Sequence, residues 1–153
     1  MLWNALLDDR IDVIATDHAP HLLEEKNNVY TKAPSGGPLV QHALNAMLEK
    51  VKDGTITLEK MVQKMCHNPA ILFQIEKRGY IREGYYADLV VANLNSPWTV
   101  SKENIAYKCK WSPFEDTTFS SKVVHTFING HLGYSNGVFS EKRNAKRLTF
   151  NRS

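Results

Sequence analysis

Residues 16 to 21 read Thr-Asp-His-Ala-Pro-His, which delivers one carboxylate and two imidazoles within a single short turn. A carboxylate at Asp17 can bind a divalent metal and take a proton from metal-bound water, the two tasks that metal-assisted hydrolysis asks of one group. It can equally cap a turn by bonding its own backbone, and both readings stay open at this point. His18 and His21 flank Ala19-Pro20, and the proline biases Ala19 away from helix, so the two imidazoles do not share a helical face. At most one of them is expected to point toward the same centre as Asp17. A hydrolytic zinc site uses about three protein ligands plus an open position for water, so Asp17, His18 and His21 together barely reach one site.

The remaining reactive side chains read as structural. His42 falls on a helix, His67 before a helix cap, and His125 and His131 in strands; each is expected to be a surface or satisfied histidine. Cys66, on an apolar helix face, is expected to be a buried thiol. Cys66 and Cys109 are too few and too far apart for a disulfide framework or a zinc knuckle, so both are read as reduced thiols. The chain has no phosphate loop, Rossmann glycine pattern or nucleophile elbow, which argues against a nucleotide enzyme or a serine hydrolase.

The elements that must position Asp17 follow from periodicity. Leu2, Trp3, Leu6 and Leu7 recur at helical spacing, so residues 1 to 8 read as the last turns of an amphipathic helix whose beginning is missing. Ile11 to Ala15 is nearly continuous in apolar character, as strands buried on both faces are, and predicts a parallel strand with Asp17 at its C-terminal end, where barrel enzymes keep their chemistry. A polar loop, Glu24 to Lys32, leads into Ala33-Pro34-Ser35-Gly36-Gly37-Pro38, whose glycines let backbone approach a ligand closely. From Pro38 onward Val40, Ala43, Leu44, Met47, Leu48 and Val51 define an apolar helix face closed by Asp53-Gly54. Thr57 is the expected N-cap of a second helix, and Asn68-Pro69 opens a third that runs to about Phe73. Near residues 75 to 79 the period changes. Tyr80-Ile81, Ala87 to Ala92 and Val123 to Tyr134 predict β-strands, with turns at Glu83-Gly84, Asn95-Ser96-Pro97 and Asn129-Gly130.

Composition sets the outer bounds. The 153 residues, 42% hydrophobic, suffice for one domain's core, and the formal charge of +3 is small. Basic residues cluster only near the end, at Lys142, Arg143, Lys146, Arg147 and Arg152, and without interleaved aromatics beyond Phe150 they read as a solvated tail rather than a nucleic-acid or membrane surface. No run approaches the ~20 apolar residues of a membrane span, and the expectation is a soluble, cytoplasmic protein.

With these residues placed, the chain resembles the C-terminal part of a dihydroorotase, within the metal-dependent amidohydrolase superfamily. Four segments carry the likeness: Ile11 through His21 followed by Glu24-Glu25-Lys26; Ala33-Pro34-Ser35-Gly36-Gly37; Gly84-Tyr-Tyr-Ala-Asp-Leu-Val-Val91; and Tyr107-Lys-Cys-Lys-Trp-Ser-Pro-Phe-Glu115. The resemblance implies an α/β fold: the last strand and following helices of a TIM-like barrel over residues 1–76, and strands of a small β-sandwich over 77–153. It implies two zinc ions per active site and reversible hydrolysis of dihydroorotate to N-carbamoyl-L-aspartate in pyrimidine biosynthesis. Asp17 would bind a metal and shuttle the proton to the leaving amide nitrogen, His21 would contact the substrate, and Ala33, Ser35 and Gly36 would approach it through their backbone. The family's other metal and substrate-carboxylate ligands have no counterpart in these residues, so the expectation is a truncated chain that is inactive and zinc-free on its own. Alternatives are a non-catalytic subunit that binds a partner such as aspartate carbamoyltransferase, a homodimer, or a hydantoinase or allantoinase. The Trp111 to Glu115 segment and the Asp17 to His21 run favour dihydroorotase.

Overall fold

In the computed structural model, which describes residues 1–142 and 144–152, α1 covers Leu2–Leu7 and buries Leu6. Arg143, one of the basic cluster, lies outside the described residues. α2 is a single turn, Leu23–Lys26, and α3 runs over Ala43–Lys52. α3 therefore begins five residues later than the periodicity from Pro38 predicts, because residues 40 to 42 form a turn of their own. α4, Leu58–Val62, opens at Thr57 as expected, the threonine hydroxyl accepting from the Lys60 N–H at 3.2 Å. The helix then widens into a π-helical turn over Gln63–His67 before α5, Asn68–Leu72, with Pro69 in its first turn.

The strands fall in the second half of the chain. β1 (Leu89–Asn93), β4 (Lys122–Ile128), β5 (His131–Ser135) and β6 (Val138–Phe139) form one sheet in the order β1-β4-β5-β6, and β2 (Trp98–Thr99) pairs antiparallel with β3 (Thr118–Phe119). The β4–β5 hairpin closes on Asn129 and Gly130, both at positive φ (52° and 82°), the requirement of a two-residue turn matched to strand twist. A register shift between Thr126 and Phe127 marks a bulge in β4. Tyr80-Ile81 forms no strand; Tyr80 instead stacks on the His67 ring at 4.1 Å between centroids.

The strand expected over residues 11 to 16 is not formed as a ladder. Among the described residues this segment has no strand neighbour, and the only bridge nearby joins His18 to Gly37 in parallel sense. A parallel strand needs a partner delivered by a crossover connection, and the described residues offer none. Residues 11 to 14 are held instead by helical groups: the Ile14 N–H donates to the Lys64 carbonyl at 3.1 Å, Lys64 Nζ donates to the Ile11 carbonyl, and Asn68 Nδ2 donates to that of Asp12 at 2.6 Å.

The chain forms two compact units, each assembled from separate stretches. One comprises Met1–Ile14, Val51–Asn93 and Val123–Ser153; the other comprises Ala15–Lys50 and Leu94–Lys122. In the first, Leu6, Ile56, Met61 and Ala70 are buried, and so is Lys64, whose ammonium lies 2.9 Å from Asp9 Oδ1. In the second, Val100, Ile105, Tyr107, Cys109 and Phe119 form the core, with Ala46, Trp98, Trp111 and Phe114 packed against it. Cys66, expected to be buried, is exposed, although its surroundings desolvate the thiol enough to raise its pKa. No helix of the described residues is long and apolar enough to cross a membrane.

Candidate active site

All the residues singled out for chemistry fall in the Ala15–Lys50 and Leu94–Lys122 unit. Asp17 is exposed and sits at φ 44°, a left-handed conformation that aspartate tolerates better than most side chains and that turns it out of any extended run. Next to it, His18 and Gly37 bridge in parallel, and the Ala19 N–H donates to the Gly37 carbonyl at 3.0 Å. The Asp17 to His21 run and the glycine loop are thereby joined edge to edge. Gly36, at φ 83°, lies so close that a Cβ built on it would be 2.6 Å from the Ala19 Cβ, so this approach requires glycine.

The two histidines diverge, as the intervening proline predicts. His18 Nδ1 accepts from the Leu39 N–H at 3.1 Å, and its ring lies 5.3 Å from that of Tyr107. His18 is thus engaged by backbone on the loop side. His21 is half-exposed, with Nδ1 3.8 Å from Glu25 Oε2. The Glu25 carboxylate also accepts from the Leu22 N–H at 2.7 Å, steadying the α2 turn.

Three residues with no role assigned from sequence hold these segments. Lys26 Nζ donates to the carbonyls of Pro34 and, at 2.9 Å, Gly36. Trp111 Nε1 donates to the His21 carbonyl at 2.8 Å, and Tyr107 Oη accepts from the Gln41 N–H at 2.7 Å. All three stand inside segments that carried the family resemblance; nothing in spacing alone discloses what they bond, because each reaches a backbone group in another segment.

Behind this surface lies a polar pair that sequence reading left as structural. His42 is fully buried on the turn before α3, with Nδ1 3.0 Å from Ser112 Oγ. The Phe114 N–H donates to the same hydroxyl, so Ser112 Oγ ties the His42 ring to the backbone at residue 114. Burial pushes the His42 pKa down, which keeps the ring neutral.

No group of three or more His, Cys, Asp or Glu side chains among the described residues could hold a metal ion. Asp17, His18 and His21 do not converge: His18 Nδ1 is occupied by backbone, and His21 faces Glu25. The donor set of these residues therefore does not fit a two-zinc centre on its own.

The sequence matches the family model described as the amidohydrolase family over residues 1–133. It is 40% identical over 128 residues to a dihydroorotase of Endomicrobium trichonymphae, covering 83% of this chain and 30% of that protein. It is 41% identical over 131 residues to a dihydroorotase of Clostridium acetobutylicum, covering 85% of this chain and 31% of that one. The chain thus spans about a third of the length of the curated relatives it matches. Among solved structures, an L-hydantoinase from Arthrobacter aurescens superposes with a TM-score of 0.83 at 29% identity, over 91% of this chain and 32% of that one. A family match that embraces the Asp17 run, the glycine loop and the Trp111 segment alike, together with that shared fold, establishes that the chain belongs to the amidohydrolase family.

Proposed function

We propose that the chain contributes the last barrel strand, the following helices and part of a small β-sandwich to a dihydroorotase-type cyclic amide hydrolase, with residues 1–76 on the barrel side and 77–153 on the sandwich side. In this reaction water adds to dihydroorotate, the ring C–N bond breaks, the hydroxyl goes to the carbonyl carbon and the proton to the leaving nitrogen, giving N-carbamoyl-L-aspartate. Asp17, exposed at a turn, is the proton carrier between water and the departing nitrogen. His21 and the backbone of Ala33, Ser35 and Gly36 contact the substrate. The observation that carries this reading is the His18–Gly37 bridge, which joins the proton carrier's segment to the glycine loop as one continuous edge.

A zinc ligand role for Asp17 belongs to the same proposal and calls for further ligands, because among the described residues no three His, Cys, Asp or Glu side chains are grouped to hold the ion. The isolated chain is accordingly expected to carry no stoichiometric zinc and to turn over no dihydroorotate. Metal analysis with an activity assay on the purified chain checks this, and zinc-loaded turnover would refute it. The fold shared with hydantoinases supports a second reading, a hydantoin as substrate. Titrating the 15N-labelled chain with dihydroorotate and with hydantoin separates the two: the amide signals of His21, Ser35 and Gly36 are expected to move with dihydroorotate, and movement with hydantoin alone reverses the assignment.

A further inference from the structure

We infer that Lys26 is a positioning residue for the glycine loop, holding its carbonyls to one side so that the Ser35 N–H is presented to an acceptor oxygen of the ligand. The inference rests on the substrate-contacting role proposed above for residues 33 to 36. It starts from two bonds. Lys26 Nζ donates to the carbonyls of Pro34 and Gly36, so one cation gathers oxygens from the Pro34–Ser35 and Gly36–Gly37 peptide units, on either side of the Ser35–Gly36 unit. Both peptides are trans, as are all those among the described residues. In a trans unit the N–H points opposite to its own carbonyl, so drawing the Pro34 oxygen toward Lys26 turns the Ser35 N–H away from it.

Ser35 is exposed, and among the described residues its N–H donates to no protein acceptor. The loop's other edge is already committed, with Gly37 bridged to His18 and its carbonyl taken by the Ala19 N–H. Lys26 is well placed to act on the loop without blocking it. It is half-buried at the end of α2, and its backbone N–H is fixed by the Leu22 carbonyl at 3.1 Å. Hydrogen bonds from a charged donor are also stronger and more directional than neutral ones. The glutamate beside it faces the other way, toward His21 and the start of the turn, so α2 places an anion on one segment and a cation on the other.

The test uses the 15N-labelled 153-residue chain and its Lys26→Met and Lys26→Arg variants. Hydrogen exchange of the Ala19 amide, bonded to Gly37, reports the loop without any ligand. Loss of the charged donor in Lys26→Met is expected to speed it about tenfold, the scale of one hydrogen bond to a charged group, while Lys26→Arg stays near the parent. Dihydroorotate is then added, and the Ser35 amide shift is expected to respond in the parent and Lys26→Arg chains but not in Lys26→Met. Unchanged Ala19 exchange in Lys26→Met, or an undiminished Ser35 response in it, overturns the inference. A chain whose Ala19 exchange depends on Lys26 but whose Ser35 amide ignores dihydroorotate instead sinks the substrate assignment and leaves the loop-holding role standing.

Discussion

His42 shows how a single side chain couples the unit's stability to pH. It is ringed by Trp98, Tyr107, Phe114 and Phe119 at centroid distances of 5.7 to 6.1 Å, and among the described residues its Nε2 finds no hydrogen-bond partner. That cage accepts a neutral imidazole and penalises an imidazolium, which is why burial lowers the pKa below its ordinary 6.5. The sign follows directly. Above 6.5 neither folded nor unfolded chain holds the proton and stability is unaffected; below it the unfolded chain takes up a proton that the folded chain refuses, and stability falls. The slope approaches about 1.4 kcal/mol per pH unit for one proton and levels off below the folded pKa. His42→Gln, which can still meet Ser112, is expected to lose that share of the acid sensitivity, read as a smaller shift in urea midpoint between pH 7 and pH 5 than the parent shows. An identical shift in parent and variant would exclude His42 as the source. Nothing about His42 in the sequence discloses this, because its polar partner, Ser112, is brought to it only by the fold.

At the scale of elements, the existence of α3, the Thr57 cap, the Asn129-Gly130 hairpin and the short helix at α1 were legible, because each rests on local chemistry in consecutive residues, whereas the face α3 buries was not: Asn45 is buried beside Leu48 and Val40 is exposed. The strand over residues 11 to 16 was legible in composition but not in outcome, since a ladder depends on a neighbour. The π-helical turn at Gln63–His67 had no signal in periodicity, although it aims His67 Nδ1 at the Gly79 carbonyl, 2.6 Å away. That turn imposes a demand on Gly79. At φ 80°, a Cβ there would lie 2.5 Å from the Ala70 Cβ and 2.8 Å from the Cys66 carbonyl oxygen. Gly79→Ala is therefore expected to lower stability by about 1–3 kcal/mol from the left-handed backbone alone, with the clash adding to it. Denaturant unfolding measures the loss; Gly54→Ala, where φ is 78° and no atom lies within 4 Å, isolates the backbone share. Equal losses in the two variants would remove the packing argument for Gly79.

Across the whole molecule, the question is what these residues bury and what they leave to solvent. The four-stranded sheet exposes Val90, Val91, Leu132, Val138 and Phe139, with Val138 at 71% and Phe139 at 65%. Apolar residues scattered singly on a surface need no explanation, but several on one sheet are a liability for a lone chain. β6, two residues long, adds an edge whose backbone groups can pair with another chain. The purified 153 residues are accordingly expected to bind an apolar dye such as ANS and to self-associate as concentration rises, with a weight-average mass in sedimentation that climbs above the 17.4 kDa chain. Replacing Val138 and Phe139 together by threonine keeps the strand chemistry while removing two of the most exposed apolar groups, and it should reduce both signals without moving the Ala19 exchange that reports the candidate site. A parent chain that stays monomeric and dye-silent across that range would mean the sheet face is covered in solution by groups of this chain itself.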